Sequence, residues 1–149
     1  MEKESRKRII WTWIARVMVL TVFILNVQCA LQFIFLPYNF MWAYELDGVS
    51  GRVALQGIGV AFLMWNVTYP IVIFNPAKYM MVYGIVLIQQ LVGFVGESYL
   101  LTTIPLEHYI LRESIIRFIV FDGAGFVMMV IPFIALLIYL KREKTHKRD

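Results

Sequence analysis

The chain has 149 residues, of which 60% are hydrophobic and 16% charged, with a formal net charge of +4 and a mean hydropathy of +0.72. Soluble domains carry about 45–50% apolar and about 25% charged residues, so this composition excludes an ordinary soluble domain. Apolar stretches fill nearly the whole length, which leaves no room for a separate soluble catalytic domain.

The apolar stretches are long enough to cross a bilayer. A membrane-spanning helix needs about 20 mainly apolar residues, because hydrocarbon about 30 Å thick is crossed at about 1.5 Å per residue. Windows of this length cover residues 9–36, 53–74, 79–101 and 115–140. We therefore predict an all-α fold, an integral membrane four-helix antiparallel bundle, in one domain that covers residues 1–149.

The first span is predicted to be a retained membrane helix. Its apolar stretch exceeds the roughly 7–15 residues of a cleaved signal peptide. Within it, Cys29 is the only cysteine of the chain, and we interpret it as a small buried apolar residue. Arg16 lies about two turns in from the inner end. We predict that its long side chain extends to the headgroups.

Prolines mark the connections and two irregular points in the helices. Pro37 ends the first helix, because proline disfavours helix at the residue before it. The aromatic residues that follow favour the headgroup layer. The Asn-Pro pair at 75–76 predicts a tight turn between antiparallel neighbours, and Pro105 marks the last connection. Pro70 and Pro132 fall inside spans and predict local kinks.

Basic residues predict the orientation. Ten of the fourteen Lys and Arg residues lie in the two tails and the 75–78 turn, namely Lys3, Arg6, Lys7, Arg8, Lys78, Lys141, Arg142, Lys144, Lys147 and Arg148. Lys and Arg collect in cytoplasmic segments, so we predict a cell-membrane protein with both termini cytoplasmic and the 37–52 and 102–114 connections outside. Contact with anionic lipids explains the basic tails without nucleic acid, which we exclude as a partner.

Ionisable and amide side chains interrupt the spans near their outer ends. Each ionisable group costs roughly 2.5–3.5 kcal/mol on insertion scales, so it needs a partner, water or a function. Gln28 and Gln32 lie four residues apart on one helix face, in the outer half of the first span, at a depth similar to that of the other polar groups. The predicted ligand-binding or charge cluster consists of Arg52, Gln56, Glu97, Arg117 and Asp122.

Two interpretations of this cluster are open. Glu97 with Arg117, or Asp122 with Arg52, could pair only for packing, and long arginines reach headgroups. Alternatively, the charges line a site, as intramembrane charges often do. Glu113 and Arg117 have the i,i+4 spacing of a helical ion pair. We predict that Glu97 and Arg117 are coupled, because removing one partner strands the other charge.

Amides and small residues within the spans predict close helix packing. Interhelical hydrogen bonds in membranes average about 0.6 kcal/mol, enough to fix packing. The amides are Asn26, Asn66, Gln89 and Gln90, and the small residues are Gly57, Gly59, Gly93, Gly96, Gly123, Ala124 and Gly125.

The chain carries no complete catalytic or metal-binding motif. His108, with Glu107 and Glu97, lacks a paired-His spacing, and His146 lies in the charged tail. No GxSxG or Walker loop is present. We predict no metal site and no cofactor, and a role other than enzyme is favoured.

Several features resemble the small bacterial DoxX-like and BphX-like membrane proteins. These are the four short spans, both ends inside, a polar break after the first helix, and a second helix that opens Val-Ala-Leu-Gln-Gly-Ile-Gly-Val at 53–60. The resemblance covers the layout of nearly the whole chain, and at residue level only residues 53–60. Some DoxX-like proteins are associated with quinone-linked redox complexes, which implies a quinone-like ligand or a membrane complex. The chain has no redox cysteine motif that would match those proteins.

The sequence thus predicts a small integral membrane protein with an outward-facing polar pocket. It would be a ligand-binding, transport-accessory or membrane-complex subunit, with the bilayer, a lipid or quinone-like ligand, and an oligomer or larger complex as partners. One alternative is a structural assembly subunit whose charges pair for packing. Another is a lipid- or quinone-linked intramembrane enzyme that uses Glu97 or Asp122 as acid or base.

Overall fold

The computed structural model describes residues 2–145, and the predicted basic residues Lys147 and Arg148 lie outside that range. The fold is all-α, as predicted, and residues 2–145 contain no strand. The helices are α1 (Glu2–Phe35), α2 (Gly48–Asn66), α3 (Tyr69–Phe74), α4 (Met80–Thr103) and α5 (Tyr109–Thr145). Two 3₁₀ turns, Pro37–Asn39 and Met41–Tyr44, connect α1 to α2, and we call residues 37–44 the 3₁₀ segment.

Four helical stretches are long and apolar enough to cross a membrane, so the protein is a multi-pass membrane protein. They are Arg6–Phe35, Gly48–Phe74, Met80–Thr103 and Tyr109–Glu143. Each stretch covers all or nearly all of one predicted window and extends beyond it at one end or at both. The fourth begins six residues before the predicted position 115, because helical hydrogen bonds continue beyond hydrocarbon.

The helices form an antiparallel bundle in which α1 contacts α2, α3 and α5, and α4 contacts α5 and α3. We call the end with the 3₁₀ segment and the 104–108 connection the loop end. The opposite end, which we call the terminal end, contains the 75–79 turn, the start of α1 and the last residues of α5. There Arg8 Nη1 lies 2.5 Å from Glu143 Oε2 and joins α1 to α5.

The second span is broken between Asn66 and Tyr69. Pro70 is in the first turn of α3, and its ring and missing N–H prevent a continuous helix with the preceding turn. The predicted irregularity at Pro70 is therefore confirmed. Helix α5, in contrast, runs through Pro132 without a break.

Arg16 closes the C-terminal end of α3. Its Nε donates to the carbonyl of Ile73 and its Nη2 to that of Phe74, both at 2.8 Å. The last carbonyls of a helix have no partner within the helix, so this arginine supplies one. Arg16 thus extends toward the terminal end of the bundle, where its guanidinium bonds the end of α3 beside the 75–79 turn.

The core has two parts, one in each half of the bundle. Toward the terminal end it contains Val19, Tyr83 and Met129, all fully buried. Toward the loop end it centres on Phe33 and Leu55. Gly59 permits close contact there, as predicted, because the position of a Cβ on it would lie 2.8 Å from the carbonyl oxygen of Ala30. The same prediction was wrong for Gly57 and Gly96, which have nothing within 4 Å of the Cβ position.

Candidate functional site: a buried polar layer and a polar groove

A chain of three polar side chains crosses the middle of the bundle. The hydroxyl of Tyr69 donates to Gln90 Oε1 at 2.9 Å, and Gln90 Nε2 donates to Asp122 Oδ1 at 2.7 Å. Tyr69 is fully buried and Gln90 nearly so. Their hydrogen bonds link α3, α4 and α5, so each span contributes a polar group that its neighbour satisfies.

The same level of the bundle holds further amide bonds beside the break in the second span. Asn26 Nδ2 donates to Asn66 Oδ1 at 3.4 Å, and Gln89 accepts a 3.0 Å bond from the hydroxyl of Thr68. Gln89 also donates to the carbonyl of Trp65 at 3.4 Å, near the end of α2. We call the set Asn26, Asn66, Tyr69, Gln90 and Asp122 the polar layer.

Asp122 lies deeper than the sequence indicated. Its carboxylate packs on Gly93, and Gly125 faces Gln90, so Asp122 is level with the middle of α4. The sequence prediction measured the depth of Asp122 from a fourth span that begins at residue 115. In the structure, its depth follows from the way α5 is aligned with α4. Asp122 therefore belongs to the polar layer rather than to a cluster at the loop end.

Among the ionisable residues of the predicted site, Glu97 is the one whose position agrees best with the prediction. It lies one turn nearer the loop end than Gly93 and is half-buried. Its Oε2 is buried and has no hydrogen-bond partner within residues 2–145. An unpaired buried polar atom is costly, so Glu97 is an unsatisfied position at the edge of the polar layer.

Arg117 does not pair with Glu97, which corrects the predicted ion pair. Its guanidinium instead lies 3.7 Å from Glu113, in the i,i+4 pair that the spacing predicted, and its side chain is 73% exposed. Antiparallel packing puts Glu97 level with Phe118, and one residue of offset rotates Arg117 by about 100° around α5. The two charges share a depth but face different sides of the helix.

Arg52 and Gln56 occupy a third place, against the end of α1. Gln56 Nε2 donates to the carbonyl of Ile34 at 2.9 Å and so satisfies one of the last carbonyls of that helix. Arg52 Nη1 reaches the hydroxyl of Tyr38 at 3.5 Å, while its Nε is buried without a partner in the described chain. The alternative Asp122–Arg52 ion pair is also absent.

The five predicted site residues are thus distributed over three places, and among them only Arg117 lines a groove on the surface of the bundle. This groove lies between α1 and α5, opens sideways from the bundle and has a volume of about 290 Å³. Its lining residues are Leu25, Asn26, Gln28, Cys29, Gln32, Arg117, Phe118 and Phe121. We call it the α1–α5 groove.

A second, apolar depression adjoins the groove along α1. It has a volume of about 510 Å³ and shares Gln28 and Gln32 with the groove. Its other lining residues are Phe23, Ile24, Val27, Leu31, Phe35 and Leu36. The two depressions give one continuous surface with a polar and an apolar part.

Asn26 connects the groove to the polar layer. It lines the groove and donates to Asn66 inside the bundle. Sequence reasoning placed Gln28 and Gln32 on one face but did not assign them to the site, and it missed Tyr69 altogether. The available signal for Tyr69 was its place before Pro70, where a broken span brings polar groups together.

A charged contact holds the 3₁₀ segment at the loop end. His108 Nδ1 contacts Glu45 Oε2, and the Ser114 hydroxyl donates to the carbonyl of Ala43 at 2.6 Å. The hydrogen bond lowers the pKa of Glu45 and raises that of His108. Glu45 has a φ of 52°, a left-handed conformation that few residues other than glycine adopt.

Within the described part of the chain, no three His, Cys, Asp or Glu side chains lie close enough together to hold a metal ion. The residues that line the groove offer hydrogen-bonding side chains and one arginine, at the boundary between an apolar surface and the polar layer. No protein-family model, curated protein or solved structure significantly matches this chain.

Proposed function

We propose that the protein is a membrane subunit that binds a small amphiphilic molecule, lipid-like or quinone-like, in the α1–α5 groove. The observation that carries this proposal is a mainly apolar depression on the side of a membrane-spanning bundle, in which Gln28, Gln32 and Arg117 supply polar groups and which adjoins a second, almost wholly apolar depression. Ligand sites combine apolar walls with a few placed polar groups, as this surface does. A molecule of this kind reaches the groove from the bilayer.

The chemistry of the lining supports binding rather than turnover. Gln28 and Gln32 offer donors and acceptors, and Arg117 offers a charge, but no carboxylate or histidine lines the groove. Asp122 is bonded to Gln90, and Glu97 is at the edge of the polar layer. Glu113 lies 3.7 Å from Arg117, but it is exposed and is not among the lining residues.

We propose further that the loop end faces the outside of the cell membrane and that both termini are cytoplasmic. The support is the distribution of Lys and Arg, ten of fourteen of which lie in the tails and the 75–78 turn. The groove lies in the half of the bundle nearer the loop end, since it is lined by the second half of α1 and by Arg117 near the start of α5. The ligand would then enter from the outer leaflet.

Cys29 provides the test, because it lines the groove and is the only cysteine. The full chain is placed in phosphatidylcholine nanodiscs, and the rate of Cys29 modification by a membrane-permeant maleimide is measured with and without decylubiquinone or oleate. We expect at least one probe to slow modification. The matched control is Val17→Cys with Cys29→Ala, which moves the thiol to a lipid-facing position on the same helix that is 50% exposed.

Equal slowing at Val17→Cys would mean partitioning of the probe into lipid and would contradict the proposal. An unchanged rate at Cys29 with both probes and with anionic lipids would also contradict it. In that case, loss of assembly in Asp122→Asn would favour the structural-subunit alternative. Turnover of decylubiquinone by the purified chain would favour the enzyme alternative.

A further inference from the structure

The charge of the α1–α5 groove indicates which amphiphile it accepts. Arg117 is the one ionised side chain among the lining residues. Its contact with Glu113 is 3.7 Å long, and both side chains are largely exposed. An exposed pair of this kind contributes little, so the guanidinium can exchange it for a better partner. An arginine fork matches the geometry of phosphate and carboxylate oxygens.

The adjoining depression indicates the shape of the apolar part. Its lining residues run from Phe23 to Leu36 on α1, a length of about 20 Å at a rise of about 1.5 Å per residue. One leaflet of hydrocarbon is about 15 Å thick, half of a roughly 30 Å core. The depression is an open surface along one face of one helix, and a single acyl chain that runs the depth of one leaflet can lie along it.

We infer that the surface binds an anionic phospholipid of the leaflet at the loop end, with its phosphate at Arg117 and one acyl chain along α1. Gln28 and Gln32 line both depressions. The amide of Gln32, which is the nearer of the two to the loop end, then meets the polar boundary between the headgroup and the chain. This inference rests on the proposed function and adds the charge and class of the ligand to it.

The test measures which lipid stays on the protein. The full chain is reconstituted in bilayers with equal amounts of phosphatidylcholine and phosphatidylglycerol and is extracted in mild detergent. Native mass spectrometry then identifies the lipids that stay bound and compares their amounts. We expect about tenfold enrichment of phosphatidylglycerol, the scale of one charge-assisted hydrogen bond. Arg117→Gln should return the ratio of the two bound lipids to that of the bilayer. Because the Arg117 side chain is largely exposed, we expect this variant to fold.

Two more variants separate the groove from general basicity. Arg52→Gln removes an arginine at the same end but outside the groove, and enrichment should persist. Leu25→Trp fills the groove from an exposed position on α1, and enrichment should disappear with Arg117 intact.

Equal loss in Arg52→Gln and Arg117→Gln, or full enrichment in Leu25→Trp, would overturn the inference. So would retention of free oleate in preference to phosphatidylglycerol. If decylubiquinone protects Cys29 while phosphatidylglycerol shows no enrichment, the proposed function stands and the inference fails. If neither effect is seen, both fail.

Discussion

The carboxylate of Asp122 lies directly on the backbone of Gly93, so closely that a Cβ at position 93 would overlap Oδ2. The contact fixes α4 against α5 at mid-depth and holds the carboxylate where Gln90 can donate to it. A side chain at position 93 would therefore push the Asp122 carboxylate away from its bond with Gln90. This relationship can be tested through its neighbour along the same helix.

Gly93→Ala should destabilise the bundle by about 1–3 kcal/mol, the usual cost of overpacking. Gly96→Ala is the matched control, because nothing lies within 4 Å of its Cβ position. It should change the free energy of unfolding by no more than about 0.5 kcal/mol. Unfolding in mixed micelles would compare the two variants. Equal effects would show that Asp122 does not pack on Gly93.

Gln90→Leu should destabilise the protein more than Tyr69→Phe. The first change strands both the hydroxyl of Tyr69 and Oδ1 of Asp122, and each buried unsatisfied group costs about 1–3 kcal/mol. The second strands only one such group, the Oε1 of Gln90. The same unfolding assay measures both. A loss in Tyr69→Phe as large as that in Gln90→Leu would contradict the chain of bonds.

The pKa of His108 should depend on Glu45. The hydrogen bond to Glu45 is the main cause of the raised value, with a smaller effect of Glu107. Histidine NMR of a His146→Gln chain, which leaves His108 as the only histidine, should show the pKa falling toward its ordinary value in Glu45→Gln. Glu107→Gln should lower it less. An identical titration with and without Glu45 would show that the contact does not form.

The same pair predicts how docking of the 3₁₀ segment depends on pH. The raised pKa of His108 means that its contribution is complete below the ordinary value of 6.5 and is lost as the pH rises through the raised one. The lowered pKa of Glu45 means that its contribution is present above 4.5 and is lost as the pH falls through the lowered one. Trp42 belongs to this segment, so its fluorescence should change at both limits. A flat profile would contradict the prediction.

The effects of Glu97→Gln and Arg117→Gln on stability should add. The two groups are not paired, so the double variant should match the sum of the single effects within about 0.5 kcal/mol. A double variant more stable than this sum by 1 kcal/mol or more would restore the ion pair that the sequence suggested.

Cysteine labelling should place the two ends of the bundle on opposite sides of the membrane. In a Cys29→Ala chain, Asn39→Cys tests the loop end and Lys78→Cys the terminal end, and both positions are at the surface. An impermeant maleimide added to intact cells should modify position 39 and spare position 78. The reverse pattern would overturn the proposed orientation.

The number and direction of the spans were accessible from the sequence because they depend on length, hydrophobicity and turn residues. The break at Pro70 and the tight turn at 75–76 have local causes and were predicted correctly. Gly59 and Gly93 were assigned to close helix contacts, and the structure confirms this. The break and the turn depend on residues close together in the chain, and the glycine contacts were predicted from residue size alone.

The candidate site depends on rotation and register between helices, which the sequence does not specify. One residue along a helix turns a side chain by about 100°, enough to send Arg117 to the groove and leave Glu97 at the polar layer. Shared depth was a sound inference for these two residues. It did not bring them together, because contact also requires matching faces.

The capping of α3 by Arg16 has a consequence for the order in which the protein assembles. The carbonyls at the end of the second span find their donor in the first span, within a hairpin that is complete by Lys78. This hairpin needs nothing from α4 or α5 to satisfy that end of its backbone. Synthesis from the N-terminus can therefore deliver a self-sufficient first half to the membrane, onto which the second half docks and there joins Gln90 to Tyr69.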